Sequence, residues 1–214
     1  MRLRNIKGAQ DIINKSSYLV KEPNKYKGKY KELFSNSNPI EIEIGMGKGD
    51  FIIEKANRNP NINYIGVEKY PSVLVYAMRK LENKKLSNLR IICFDAINIE
   101  EIFDKEIDKI YLNFSDPWPK KKHSNRRLTS PIFLDKYSKI FKRDYIIEMK
   151  TDNQNLFEYS LVSLSQKDYS LETVSLNLYE NLPIDNVPTE YEKKFSSKGM
   201  PIYKVKAIHV VDKK

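Results

Sequence analysis

The sequence predicts an α/β domain in which a parallel sheet carries helices on both faces and ends in an antiparallel pair. Three observations predict it. Five short apolar runs alternate with helical segments from Ile40 onward. Three of only seven glycines crowd into Gly45, Gly47 and Gly49, directly after the first run. Two later β-rich runs, 171–179 and 202–211, flank a polar stretch at 180–200.

The elements follow in order. Ile40–Ile44 reads as the first strand and Asp50–Asn57 as a helix that stops before Pro60. Tyr64–Glu68 is the second strand. The next helix opens at Pro71 and repeats Val73, Ala77 and Leu81 at i+4. Leu89–Phe94 is the third strand, followed by a short helix over 98–104. Ile107–Phe114 alternates as a fourth strand, and Ser130-Pro131 starts a helix carrying Leu134, Tyr137 and Phe141. Tyr145–Met149 is the fifth strand, 153–166 a further helix, and the two terminal β-rich runs pair as an edge hairpin. Residues 1–38 read as a basic N-terminal arm whose composition suggests flexibility, and 39–214 as the domain proper.

Charge narrows the function classes. Lys and Arg number 38 against 28 Asp and Glu, a net charge of +10. Nine basic residues against Asp11 and Glu22 put +7 of that charge into residues 1–31. Lys120, Lys121, Lys122, Arg126 and Arg127 form a second cluster. Such clusters attract polyanions, nucleic acid first. No apolar run approaches the roughly 20 residues needed to span a bilayer, so a membrane partner is not expected. One cysteine and two distant histidines leave no basis for a disulfide or a metal site. The chain reads as cytoplasmic.

The glycines follow a strand in Glu43-Ile44-Gly45-Met46-Gly47-Lys48-Gly49, a turn that brings the backbone close to a ligand at a helix N-terminus. Their spacing is neither the dinucleotide pattern nor a Walker loop. Glu68 ends the second strand, where a carboxylate accepts ribose hydroxyls, and Asp95 follows the third, where it could accept from an adenine amino group. With Glu43 facing a cationic end, the three acids suit S-adenosyl-L-methionine better than a nicotinamide cofactor.

The exit of the fourth strand, Asn113-Phe114-Ser115-Asp116-Pro117-Trp118-Pro119-Lys120-Lys121-Lys122-His123, places a carboxylate, the sole tryptophan and three lysines in a loop stiffened by two prolines. Trp118 is read either as core or as a ring that stacks on a base. Together with Glu43–Gly49, Val67-Glu68, Phe94-Asp95-Ala96 and Thr189-Glu190-Tyr191-Glu192, this loop resembles the bacterial tRNA (guanine-N7)-methyltransferase family from about residue 38 to the C-terminus.

The resemblance implies a class I methyltransferase fold, a Rossmann-like seven-stranded sheet with its last strand antiparallel. It also implies methylation of N7 of guanine 46 in the tRNA variable loop. It places cofactor contacts on Glu43, Glu68, Asp95 and Asp116, beside Gly45, Gly47, Gly49 and Ala96 of the same motifs. It places substrate contacts on Lys120, Asp152, Thr189, Glu190, Tyr191 and Glu192. An RNA-facing stretch runs through Lys121, Lys122, His123, Ser124, Asn125, Arg126 and Arg127. Asp152 also reads as an ordinary helix N-cap, and His123 as a solvated loop residue. A homodimer is a weaker expectation, since relatives differ in this respect.

Guanine N7 carries an in-plane lone pair and no proton at neutral pH, so its methylation needs alignment and no general base. A rate nearly flat between about pH 6.5 and 8.5 follows. Asp116 is the candidate catalytic residue, stabilising the positive charge that appears on the purine. Glu192 or Asp116 is the candidate acceptor for the guanine Watson–Crick edge. Two other readings stand beside this one. They are an amino-group methyltransferase on another nucleic acid, since Ser115–Trp118 is similar to the D/N-P-P-Y type, and a noncatalytic RNA-binding module.

Overall fold

The computed structural model describes residues 6–211. Seven strands form one sheet: β1 (Ile40–Ile44), β2 (Asn63–Glu68), β3 (Leu89–Cys93), β4 (Lys109–Asn113), β5 (Tyr145–Thr151), β6 (Ser170–Ser175) and β7 (Tyr203–His209). Their order is β3-β2-β1-β4-β5-β7-β6. The first five are parallel, and β7 is antiparallel to both of its neighbours. Strand order reverses between β1 and β4, which opens a crevice at their carboxyl ends.

Six helices surround the sheet: α1 (Ala9–Asn14), α2 (Asp50–Arg58), α3 (Pro71–Leu81), α4 (Pro131–Ile140), α5 (Gln154–Ser165) and α6 (Glu190–Ser196). The two-residue period of the strands sorts side chains between two cores. Ile40, Ile42, Ile44, Ile110, Leu112, Ile147 and Met149 share one core with Phe133, Tyr137 and Leu156. Tyr64, Ile91 and Tyr111 pack with Phe51, Ile52 and Leu74 on the other side. Glu43 and Asn113 alternate with these first-core residues, so they face the α2–α3 side.

The expected strands and main helices are present within a few residues. Two differences have local causes. The predicted helix over 98–104 is a 3-10 segment, Ala96–Glu101, interrupted by non-helical Asn98 and capped by Asp95. The polar stretch 180–200 contains α6, whose start is a capping box between Thr189 and Glu192. The T-x-x-E spacing is the signal that would have found it.

The described part of the arm is packed onto the sheet. Ile13 and Tyr30 are fully buried, and Phe34 nearly so. Leu19 bridges Ile91 on β3, where Ile91 N donates to Tyr18 O and Val20 N to Ile91 O. The arm therefore covers the edge of β3, which would otherwise offer unpaired backbone groups. The Glu106 carboxylate fixes its second half by accepting from Gly28 N at 2.9 Å and Tyr30 N at 3.1 Å. A few apolar anchors thus order a segment whose average composition is polar. Arg2 and Arg4 lie outside the described residues, while Lys21, Lys25, Lys27 and Lys29 are exposed.

Candidate active site

The crevice between β1 and β4 gathers the acids that end successive strands. Gly45, Gly47 and Gly49 all have positive φ, at 77°, 56° and 81°. A Cβ at Gly45 or Gly47 would meet nothing within 4 Å, so this backbone is open on its outer side. The turn is anchored by Gly45 N and Met46 N, which both donate to Val67 O. Glycine is required here because the left-handed region excludes most side chains.

Glu43 is 2% exposed. Its Oε1 accepts from Asn113 Nδ2 at 2.9 Å. Its Oε2 and the Asn113 Oδ1 are both buried without a partner. Buried polar atoms without partners are costly, and a cationic donor would satisfy an ionised Glu43 carboxylate here. Burial pushes the Glu43 carboxyl up to about 8, against the pull of Asn113, the Lys150 charge and the Ile52 backbone N–H. Asn113 was not singled out in the sequence, where the fourth strand was expected to run on to Phe114; the structure ends β4 at Asn113.

Glu68 accepts from Gly47 N at 3.1 Å and from Tyr70 N at 3.0 Å, which ties the second strand end to the glycine turn. Burial raises its pKa, backbone donors pull it back, and the neighbouring Asp116 charge adds to the rise. Its two oxygens retain lone pairs for a diol. Asp95 accepts from Ile97 N at 3.2 Å and pairs with Lys69 at 2.6 Å. Burial raises its carboxyl, but Lys69 and the Ile97 N–H outweigh that and hold it below the ordinary aspartate value. Ala96 follows it, half-buried.

Past β4 the chain turns abruptly. Phe114 and Trp118 both hold left-handed φ, at 50° and 43°. Arg127 fastens this loop through Pro117 O at 3.0 Å and Trp118 O at 3.1 Å, and lies 4.2 Å from the Tyr159 ring centroid. Arg127 was expected to face RNA; two of its five donors hold the loop, and the side chain is half-buried. Trp118 is partly buried, with the Arg126 guanidinium 4.9 Å from its ring and His123 in T-shaped contact, so it is not a core residue. Asp116 is exposed and makes no hydrogen bond or ion pair among the described residues. Lys120, Lys121 and Lys122 extend beyond it, exposed and unpaired in the same sense. Ser124 and Asn125 lie in the 3-10 segment Lys121–Arg126.

The Thr189–Glu192 run divides in two. Glu192 is fully buried; its carboxylate accepts from Lys150 Nζ at 2.5 Å and from Asn186 Nδ2 at 2.7 Å. Thr189 Oγ1 accepts from Glu192 N at 2.9 Å. Glu192 was expected as a candidate acceptor for the guanine edge, but it points into the protein and its oxygens are spent there. Glu190 and Tyr191 are exposed. Glu190 pairs with Lys48 of the glycine turn at 2.8 Å, which joins α6 to the loop after β1. Asp152 is not the N-cap of α5. That role belongs to Asn153, whose Oδ1 accepts from Leu156 N at 2.8 Å. The Asp152 carboxylate stays half-buried and uncommitted at the end of β5.

A glycine turn after β1, an acid at the end of β2 and an antiparallel β7 inserted before β6 define a class I methyltransferase. Solved structures agree on the fold: an antibiotic-related methyltransferase superposes with a TM-score of 0.67 at 17% identity, covering 85% of this chain and 93% of that one. A 16S rRNA methyltransferase gives 0.65 at 11%, covering 86% and 94%. A family model described as "Putative methyltransferase" matches residues 37–205. The tRNA (guanine-N(7)-)-methyltransferase of Lachnoclostridium phytofermentans is 49% identical over 97% of this chain and 98% of its own length. The enzyme of that name from Geobacillus sp. is 52% identical over 95% and 94%. The chain belongs to the tRNA (guanine-N7)-methyltransferase family.

Proposed function

We propose that this protein transfers a methyl group from S-adenosyl-L-methionine to N7 of guanine 46 in the variable loop of tRNA. The observation that carries the cofactor is the buried pair of unpartnered acceptors, Glu43 Oε2 and Asn113 Oδ1, beside an open glycine turn. Such a pair suits a cationic amino-acid end, Glu68 keeps lone pairs that suit ribose, and Asp95, just past β3, suits an adenine amino group. When bound, S-adenosylmethionine supplies an electrophilic methyl group on a sulfonium. The residues of this chain need only orient the acceptor and favour the charge that develops on it. Asp116, exposed and uncommitted, suits the second task. With Glu192 committed internally, Asp116 and Asp152 are the free carboxylates that suit the Watson–Crick edge of guanine.

Incubation with unmodified tRNA and methyl-labelled cofactor, followed by nucleoside analysis, tests this reading. Label in 7-methylguanosine at one variable-loop position is the expected result. A methylated adenine, or cofactor binding with no labelled nucleoside, would refute it.

The raised pKa of Glu43 refines the expected flat pH profile. Turnover at saturating cofactor stays flat, but a cation beside Glu43 favours its ionised form. Below pH 8 cofactor binding therefore releases a proton, and affinity tightens by up to about tenfold per pH unit as pH rises towards 8. Calorimetry in buffers of different ionisation enthalpy reads that proton directly. Affinity independent of pH between 6 and about 8 would contradict the assignment. Without cofactor the sign is reversed for stability: the folded chain keeps a proton on Glu43 that the unfolded chain has lost. This group's contribution therefore declines as pH rises from about 4.5 to about 8.

The lysines past Asp116 suit phosphate contacts. Reversing charge at Lys121 and Lys122 is expected to weaken tRNA binding and reduce the log–log salt slope by about 2. An unchanged slope in filter binding would assign both lysines to solvent.

A further inference from the structure

We propose that Phe114, Tyr191 and Phe195 form a stacking platform for the purine base that enters the site; this rests on the tRNA reading above and adds to it a mode of base capture. The three ring centroids are 6.3, 6.4 and 6.4 Å apart, with interplanar angles of 20°, 14° and 22°. Near-equal spacing excludes a straight column, in which the two outer rings would be about twice as far apart as neighbours. The three near-parallel rings sit instead at the corners of a near-equilateral triangle and form one aromatic cluster. The cluster is not closed over: Tyr191 is 50% exposed, and Phe114 and Phe195 are partly buried rather than core residues.

Its position fits a base. Phe114 precedes Asp116 by two residues, on the carboxyl end of β4, and Tyr191 and Phe195 are one turn apart on α6. The platform thus bridges the loop of the candidate catalytic carboxylate and the helix tied to the glycine turn through Lys48. Phe114 reaches it only by adopting a left-handed backbone, an unfavourable geometry for an aromatic residue, held by its N–H donating to Lys150 O at 2.8 Å. Lys194 Nζ lies 5.7 Å from the Phe195 centroid, and its charge suits the phosphate of a nucleotide stacked there. Flat, partly exposed rings beside cations are the elements by which proteins hold unpaired bases.

The test compares Phe195→Leu with Phe195→Tyr. Leucine fills most of the same space, so a packing role is met by either residue, whereas stacking is met only by the ring. Phe195→Leu is expected to weaken tRNA binding about tenfold and to raise KM for tRNA in parallel. Cofactor affinity and melting temperature should stay as in the parent, and Phe195→Tyr should restore tRNA affinity. Equal tRNA affinity in the parent and the leucine variant would overturn the platform, as would equal losses in both variants. A parent chain that binds tRNA and methylates nothing would sink the methyltransferase reading, while the leucine-against-tyrosine contrast in affinity would still decide the platform.

Discussion

Lys150→Met is expected to destabilise the protein by about 3–5 kcal/mol, the usual cost of removing one partner from a buried ion pair. For a chain of this size that corresponds to a fall in melting temperature of roughly 6–20 °C. Lys150 is 1% exposed and Glu192 fully buried, so neither charge has water to fall back on. The lysine ammonium donates to Glu192, to Val187 O at 2.8 Å and to Asn186 Oδ1 at 3.3 Å. Asn186 and Val187 lie in the segment that leads into α6, and Glu192 in its first turn. Burial lowers the Lys150 pKa, and Glu192 opposes that shift. Methionine would leave the Glu192 carboxylate buried without its cation. Adding Glu192→Gln should recover part of the loss, because glutamine removes the orphaned charge and still suits the capping box with Thr189. Thermal melts of both variants check this. A single-variant loss under about 1 kcal/mol would contradict the buried pair, and a double variant no better than the single would assign the effect to packing.

The second large effect is expected at turnover. Asp116→Asn should lower kcat about 100-fold, in the range lost when one preorganised electrostatic contact to developing charge is removed. Cofactor affinity should change much less, because Glu43, Asn113 and Glu68 remain. The substitution keeps shape and removes charge, and the parent carboxylate makes no internal bond that would be lost. The loop around it is held independently by Arg127 on Pro117 O and Trp118 O. Steady-state kinetics with tRNA and separate cofactor titration decide the point. Equal losses in kcat and cofactor affinity would make Asp116 a binding residue, and an unchanged kcat would remove it from the chemistry.

Much of this architecture was legible because its signals are local. Strand alternation, Pro71 and Pro131 at helix starts, and the glycines after β1 act within a few residues of themselves. Those signals placed β1 to β5 and so brought Glu43, Glu68 and Asp95 to one edge of the sheet. The features that the sequence did not display depend on partners far along the chain. Glu192 was expected to face the substrate, and its inward turn is decided by Lys150, 42 residues earlier. Asn113 became visible only when its register beside Lys150 and its bond to Glu43 were known. The arm, polar on average, is ordered by β3 and by Glu106, 76 residues beyond Tyr30.

By itself the sequence determined the strand–helix order, the candidate ligand-binding edge and the family resemblance, because hydrophobic period and turn chemistry are properties of short segments. Only the tertiary structure decided which acids remain free to meet a ligand. A buried carboxylate must find donors wherever the fold supplies them. The same residue type is therefore a structural lock at Glu192, an open acceptor at Glu43 and an uncommitted charge at Asp116.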